Sequence, residues 1–322
     1  MQNRTTFQYI IILLKGMAMG AADVVPGVSG GTIAFISGIY EELITTIHKL
    51  NFSFFKTWKK EGLKIAWKNY NLSFLVSLLI GIAISILSLA KLITVLLKNH
   101  PVLVWSFFFG LVLASILYVG NQITNWKIST WAILILSSLL SYWITIAEPI
   151  GSPDSTWFLF IAGFIAIIAM ILPGISGAFI LLLLGAYATV IGTLTQLSDG
   201  ITKLDTSLIG QAILKLSFFG LGALIGIKVF SKALTWMFAN YKNLIITALT
   251  GFMIGALNKV WPWKEVLKYR INSYGEQIPF LEKSILPIHF NGDAQLIYAL
   301  ILAIIGFLTI FLLEKLATTK TS

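Results

Sequence analysis

One short phrase occurs twice in this chain: Pro26-Gly27-Val28-Ser29-Gly30-Gly31-Thr32 and Pro173-Gly174-Ile175-Ser176-Gly177-Ala178-Phe179, each embedded in apolar sequence. Its residue types suit holding an anion. Proline closes an incoming helix, and a new helix restarts at Ser29 or Ser176. The first N–H groups of that helix lack internal partners, and its macrodipole presents about +0.5 charge. Such an end binds anions. Gly27, Gly30, Gly31, Gly174 and Gly177 let a ligand approach the backbone, while the hydroxyls of Ser29, Thr32 and Ser176 cap the helix or donate to a phosphate oxygen. The purely structural alternative is that serine only caps and glycine only packs.

Charged residues in apolar surroundings are the next candidates, because they are costly there. Asp23 stands three residues before Pro26. It either exchanges protons, coupling the site to a proton gradient, or bonds the free N–H groups of the adjoining turn. Lys91 and Lys232 either snorkel to headgroups or pair with a phosphate. Lys15 and Lys228 carry the same two readings, with snorkelling favoured. The chain has no cysteine, and His48, His100 and His289 lie near segment ends. No metal site and no cofactor are expected. Ser29 has no adjacent base and no span carries an Asp-rich pair, so an intramembrane enzyme is disfavoured.

The elements that position these residues follow from composition. Of 322 residues, 57% are hydrophobic and 11% charged, with a mean hydropathy of +0.88. Such a chain is an all-α integral membrane protein with lipid as its main solvent. Nothing resembles a removable signal peptide, so the first apolar segment is expected to stay. The net charge of +10 does not point to nucleic acid. It is concentrated at 49–70, where six lysines accompany only Glu61. Lys56, Lys60, Lys64 and Lys68 share one stripe of an expected amphipathic surface helix that marks the cytoplasmic side. Trp105, Trp126, Trp157, Trp236 and Tyr241 read as interfacial anchors.

Backbone that leaves the helix within a bilayer survives only in a protein interior or along a polar cavity. Apolar stretches at 7–23 and 29–47, and at 156–172 and 176–195, run slightly short of a span of about 20 residues. Each pair is read as a re-entrant helical hairpin, with two full crossings as the alternative. Six further stretches (72–97, 101–120, 129–147, 209–235, 241–258 and 294–314) are crossing helices. Charge then places Arg4, the lysine loop, Lys127, Lys242, Lys315 and Lys320 inside. Lys98, the acidic loop from Glu148 to Asp154 and the connection 259–293 lie outside. Both termini are cytoplasmic.

The repeat extends beyond the turns. The offset of 147 from Pro26 to Pro173 also pairs Gly16 with Gly163, Gly38 with Gly185 and Tyr40 with Tyr187. A second offset, 141 from Lys91 to Lys232, pairs Gly81 with Gly222 and Gly110 with Gly251. The chain therefore reads as two units. Residues 1–148 hold the hairpin 7–47, the basic segment 49–70 and three crossings. Residues 149–322 hold the hairpin 156–195, three crossings and the outer loop 259–293. An odd number of crossings per unit inverts the second relative to the first, as in alternating-access transporters with a midplane site.

The run from Gly20 through Asp23, Pro26-Gly27-Val28-Ser29-Gly30-Gly31-Thr32 and Gly38-Ile39-Tyr40-Glu41-Glu42-Leu43, with Pro173-Gly174-Ile175-Ser176-Gly177 and Gly185-Ala186-Tyr187, resembles the bacterial polyprenyl-phosphate transporter family. The resemblance covers nearly the whole chain. It implies a bacterial cytoplasmic-membrane protein that returns undecaprenyl phosphate, the carrier lipid of cell-wall synthesis, to the inner leaflet. Its partners are then the polyprenyl phosphate and membrane lipids. Ala178 departs from the hydroxyl expected in many relatives, which implies fewer donors in the second half-site. A transporter or channel for a small anion is the alternative, and a lipid-phosphate enzyme a more distant one.

Overall fold

Long apolar runs without internal proline become helices here. The computed structural model describes residues 4–24, 28–148, 155–271 and 277–318; Pro26 and Gly27 lie outside them, as do residues 149–154 of the acidic loop. In order, the chain forms α1 (Thr6–Val24), α2 (Gly30–Ile36), α3 (Tyr40–Lys49), α4 (Ser53–Glu61), α5 (Leu63–Asn69), α6 (Leu72–Asn99), α7 (Pro101–Gly120) and α8 (Ile128–Ile146). There follow α9 (Thr156–Ile171), α10 (Gly177–Leu183), α11 (Tyr187–Lys203), α12 (Thr206–Ala256), strands β1 (Lys264–Ile271) and β2 (Gln277–Ser284), and α13 (Leu296–Thr318). Among the described residues α1, α6, α7, α8 and α12 are each long and apolar enough to cross a bilayer. At 51 residues, α12 is about 75 Å long, enough for two crossings of a core about 30 Å thick. This is a multi-pass, mostly helical membrane protein.

Helices pack through glycine. A Cβ on Gly16 would strike the carbonyl of Leu78, and one on Gly81 that of Leu13, so α1 and α6 touch backbone to backbone. In the same way Gly163 faces Phe219 and Gly222 faces Phe160, joining α9 to α12. These contacts obey the offsets found in sequence: Leu13 to Phe160 is 147, and Leu78 to Phe219 is 141. Gly110 and Gly306 join α7 to α13, while Gly251 and Gly255 join α12 to α8. Small residues at these seams replace the hydrophobic drive that lipid cannot supply.

The same contacts set the depth of the turns. Gly20 lies against Ile82 and Ser85, so the end of α1 at Val24 comes level with a point roughly ten residues, or about 15 Å, short of the end of α6. Gly226 lies against Phe164 and Ile167, so the end of α9 falls roughly ten residues, again about 15 Å, short of the α12 kink. That kink is at Tyr241 (φ −136°, ψ 39°).

Polar contacts gather at the two ends of the bundle. At one end Arg4 pairs with Glu42 at 2.6 Å, Lys242 with Glu41 at 2.9 Å, and Asn243 accepts from the Thr124 N–H at 2.8 Å. At the other, Lys268 pairs with Glu148 at 3.1 Å and the Trp263 indole donates to Ala294 at 2.9 Å.

Several expectations need correction. The returning arms 29–47 and 176–195 are not single helices. Gly38 and Gly185 adopt positive φ (+73° and +67°), a region glycine enters at no steric cost. They split the arms into α2 and α3, and into α10 and α11, the second pair bent by 107°. The lysine stripe likewise breaks, because α4 ends at Gly62 (φ +88°) before α5 begins. No loop separates the segments 209–235 and 241–258; α12 runs through both with a kink. The connection 259–293 contains an antiparallel β-hairpin, with Lys264 opposite Ser284 and Ile271 opposite Gln277, so the chain is not wholly helical. Trp105 is buried, 7% exposed, and is not an interfacial anchor.

Candidate functional site at the meeting of the two turns

The site begins at the last turn of α1. Asp23 Oδ1 accepts the N–H of Gly30 at 2.6 Å. Ser29, extended at φ −121°, ψ 135°, caps α2, its Oγ accepting the N–H of Gly31 at 3.1 Å. An N-cap of this kind satisfies a donor the helix cannot satisfy itself. The same hydroxyl donates to the carbonyl of Met170, at 3.1 Å, in the last turn of α9. Within the first turn of α2, Thr32 Oγ1 accepts the N–H of Gly174 at 2.9 Å. Gly31 must be glycine at this junction, since a Cβ would stand 2.5 Å from the Ile171 carbonyl oxygen. The two phrases, 147 residues apart, are thus in direct contact through Ser29, Gly31 and Thr32 on one side and Met170, Ile171 and Gly174 on the other.

The copies are not equivalent. Helix α2 is held at both ends by α1: Asp23 takes a donor at its start, and Lys15 Nζ donates to the Ser37 carbonyl at its finish, at 2.6 Å. A negative group at the N-terminus and a positive one at the C-terminus both suit the helix dipole. Lys15 is therefore a clamp, not a snorkelling lysine. Lys228 behaves alike, donating to Ile47 at the end of α3 at 2.6 Å. The positions of the second unit that match Lys15 and Asp23 are Ala162 and Met170, which supply neither charge. Ser176 precedes α10 without a side-chain cap hydrogen bond. Ser29, Gly30, Gly31 and Thr32 are buried, whereas Ser176 and Gly177 are partly exposed and Ala178 is exposed. The accessible helix start is therefore that of α10.

Of the remaining candidates, Pro173 is buried in the second turn, where Gly174 packs on Ala256 and Phe252 of α12. Lys232 is exposed on α12. Lys91 lies within α6, with its side chain outside the described residues, and Pro26 and Gly27 are outside them altogether. The reading of the sequence missed the Met170 and Ile171 carbonyls as partners of the first turn, and Lys15 as a clamp. A signal existed: the repeat sets Asp23 against Met170 and Lys15 against Ala162, and such one-sided charges mark where two copies differ.

With this geometry in view, comparison with known proteins is specific. Residues 19–278 match the model of the VCA0040-like family, described as undecaprenyl phosphate translocase-like. A polyprenyl-phosphate transporter of Vibrio cholerae serotype O1 is 45% identical over 316 residues, covering 97% of this chain and 98% of its own. A polyprenyl-phosphate transporter of Staphylococcus aureus is 33% identical over 265 residues, covering 78% and 86%. No solved structure matches the chain. The family and both relatives are named for transport and not for catalysis. The chain belongs to the VCA0040-like, undecaprenyl phosphate translocase-like family.

Proposed function

We propose that this protein carries polyprenyl phosphate across the bacterial cytoplasmic membrane, with undecaprenyl phosphate as the substrate and the return of the carrier lipid as its role. The observation that carries this reading is the direct contact of the two proline-glycine turns through Ser29 to Met170 and Thr32 to Gly174. The names of the relatives supply a phosphate with an isoprenoid tail as the anion.

In this scheme α1 to α3 and α9 to α11 are opposed re-entrant hairpins. Six crossings come from α6, α7, α8, both arms of α12, and α13. Two features support it: the turns stop about 15 Å short of the end of α6 and of the α12 kink, and the glycine seams repeat at the sequence offsets. Both termini lie in the cytoplasm with Arg4 and the lysine-rich α4 and α5, and the β-hairpin lies outside. The phosphate is held by Ser176, Gly177 and the α10 N–H groups. Ser29, Gly30, Gly31 and Thr32 frame the site from the side of the first turn, and Pro173 and Gly174 from that of the second. Lys232 pairs with headgroups along the path, and Asp23 releases its helix end when protonated.

The test is transport in proteoliposomes. Purified full-length protein should move undecaprenyl phosphate between leaflets, and Ser176→Ala should slow it. Movement of inorganic phosphate without movement of the lipid would favour the small-anion alternative and defeat this reading.

A further inference from the structure

Beyond the turns, one cluster of charge is unexplained. Lys264 begins strand β1 with its side chain 6% exposed, and Lys259, between α12 and β1, is 13% exposed. A single oxygen, Oε2 of Glu282 on β2, faces both ammonium groups, at 3.5 Å from Lys264 and 3.9 Å from Lys259. Charge-assisted hydrogen bonds run at about 2.7–2.9 Å, so neither lysine is bonded closely to that carboxylate. Their other contacts among the described residues are aromatic faces. Lys264 Nζ lies 3.5 Å from the ring centroid of Trp105, and Lys259 Nζ 4.6 Å from that of Phe179. An ammonium has three donors, and two such groups share one carboxylate oxygen in a largely buried place. The cluster carries one positive charge in excess.

Its position is as informative as its charge. Phe179 lies in the first turn of α10, three residues after Ser176. Gly174 packs on Ala256 at the end of α12, and the Lys259 N–H donates to the Ala256 carbonyl at 2.8 Å. Lys259 thus adjoins the accessible second turn, and Lys264 extends the cationic path from there into the β-hairpin. A matched structural ion pair would not need a second lysine, nor leave both at long range. Burial lowers both ammonium pKa values, that of Lys264 to about 8, while Glu282 pulls them back up; a second anion would relieve that cost.

We propose that Lys259 and Lys264, with Glu282 as a displaceable counter-ion, form a capture site for a phosphate monoester at the hairpin end of the bundle, from which the group passes to the α10 turn. The inference rests on the lipid-phosphate reading and adds to it the residues that first meet the headgroup. Glu282 holds the two cations while the site is vacant and yields them to the stronger anion.

The test uses full-length protein in nanodiscs, with undecaprenyl phosphate and inorganic phosphate as probes. Affinity and the melting-temperature gain on adding lipid are measured for wild type, Lys259→Gln, Lys264→Gln, Lys264→Arg and Glu282→Gln. Both glutamine replacements of lysine should weaken lipid binding at least tenfold, and Lys264→Arg should retain most of it. Glu282→Gln should tighten binding severalfold, because it removes the competitor. A cluster that only supports the fold would lower the lipid-free melting temperature in all three Gln variants and leave lipid affinity unchanged in those that fold, or weaken it equally in all three. Either pattern overturns the proposal. Inorganic phosphate should compete with the lipid in wild type; lysine-dependent phosphate binding without lipid binding would make this a free-phosphate site and overturn the lipid assignment. If wild type fails to move undecaprenyl phosphate in proteoliposomes, the transport reading falls. Wild-type transport with unchanged binding in both lysine variants sinks the capture site alone.

Discussion

Thr32 Oγ1 accepts the backbone N–H of Gly174 at 2.9 Å, so a side chain of the first phrase satisfies the main chain of the second. Thr32 is 1% exposed, so its hydroxyl is shielded from solvent. Thr32→Val keeps the shape and deletes the acceptor. It should cost about 1–3 kcal/mol, the penalty for a buried donor left unmet, and should slow transport. Thr32→Ser should restore both. Melting temperature and proteoliposome transport, measured together on the two variants, check this.

Glycine at 30 and at 31 is required for different reasons, and substitution separates them. At Gly31 an added Cβ meets main chain, the Ile171 carbonyl at 2.5 Å, which cannot move without parting the turns. At Gly30 it meets the Asp23 carboxylate at 2.5 Å, a side chain. Overpacking of this kind costs about 1–3 kcal/mol. Gly31→Ala should therefore abolish transport whatever stands at 23. The loss in Gly30→Ala should be partly recovered by adding Asp23→Ala. Equal recovery of both glycine variants by Asp23→Ala would contradict this assignment.

Asp23→Asn tests proton coupling with little disturbance, since the amide oxygen can still accept the Gly30 N–H. Losing the charge on that bond should lower stability by about 1 kcal/mol. Transport should persist but lose its response to an imposed pH gradient. A variant that responds to the gradient as wild type does would remove Asp23 from any proton pathway.

Lys264 gives a pH dependence whose sign is fixed. Burial depresses its pKa from 10.5 to about 8, so between those values the unfolded chain holds a proton that the folded protein has lost. Stability then rises with pH across the window from about 8 to 10.5. The full penalty, on the order of 3 kcal/mol, is felt below it. Lys264→Met removes the titrating group. Its melting temperature should exceed that of wild type at pH 7, and the difference should shrink toward pH 10. A constant difference would assign the effect to packing.

Much of this was legible in the residues. Equal spacing of glycines announced the repeated seams, because close backbone contact tolerates no other side chain and so preserves position. The offset pairing Gly38 with Gly185 was visible as well, yet the breaks they make were not. A single glycine in an apolar run is compatible with a helix, and only the surrounding fold decides that φ turns positive. The β-hairpin was hidden differently. Lys264 and Glu282 are 18 residues apart, and charges in the long connection look like solvated loop until pairing brings them together. The bond from Ser29 to Met170 spans 141 residues, a contact no local pattern encodes.

The two-ended clamp on α2 gives the duplicated phrase a division of labour. Lys15 and Asp23 fix one copy as a frame. Ala162 and Met170 give the other neither charge, so a load applied at the centre should shift α10 before α2. In the transport scheme proposed above, the first phrase is then an anvil and the second a latch, and the phosphate loads the latch.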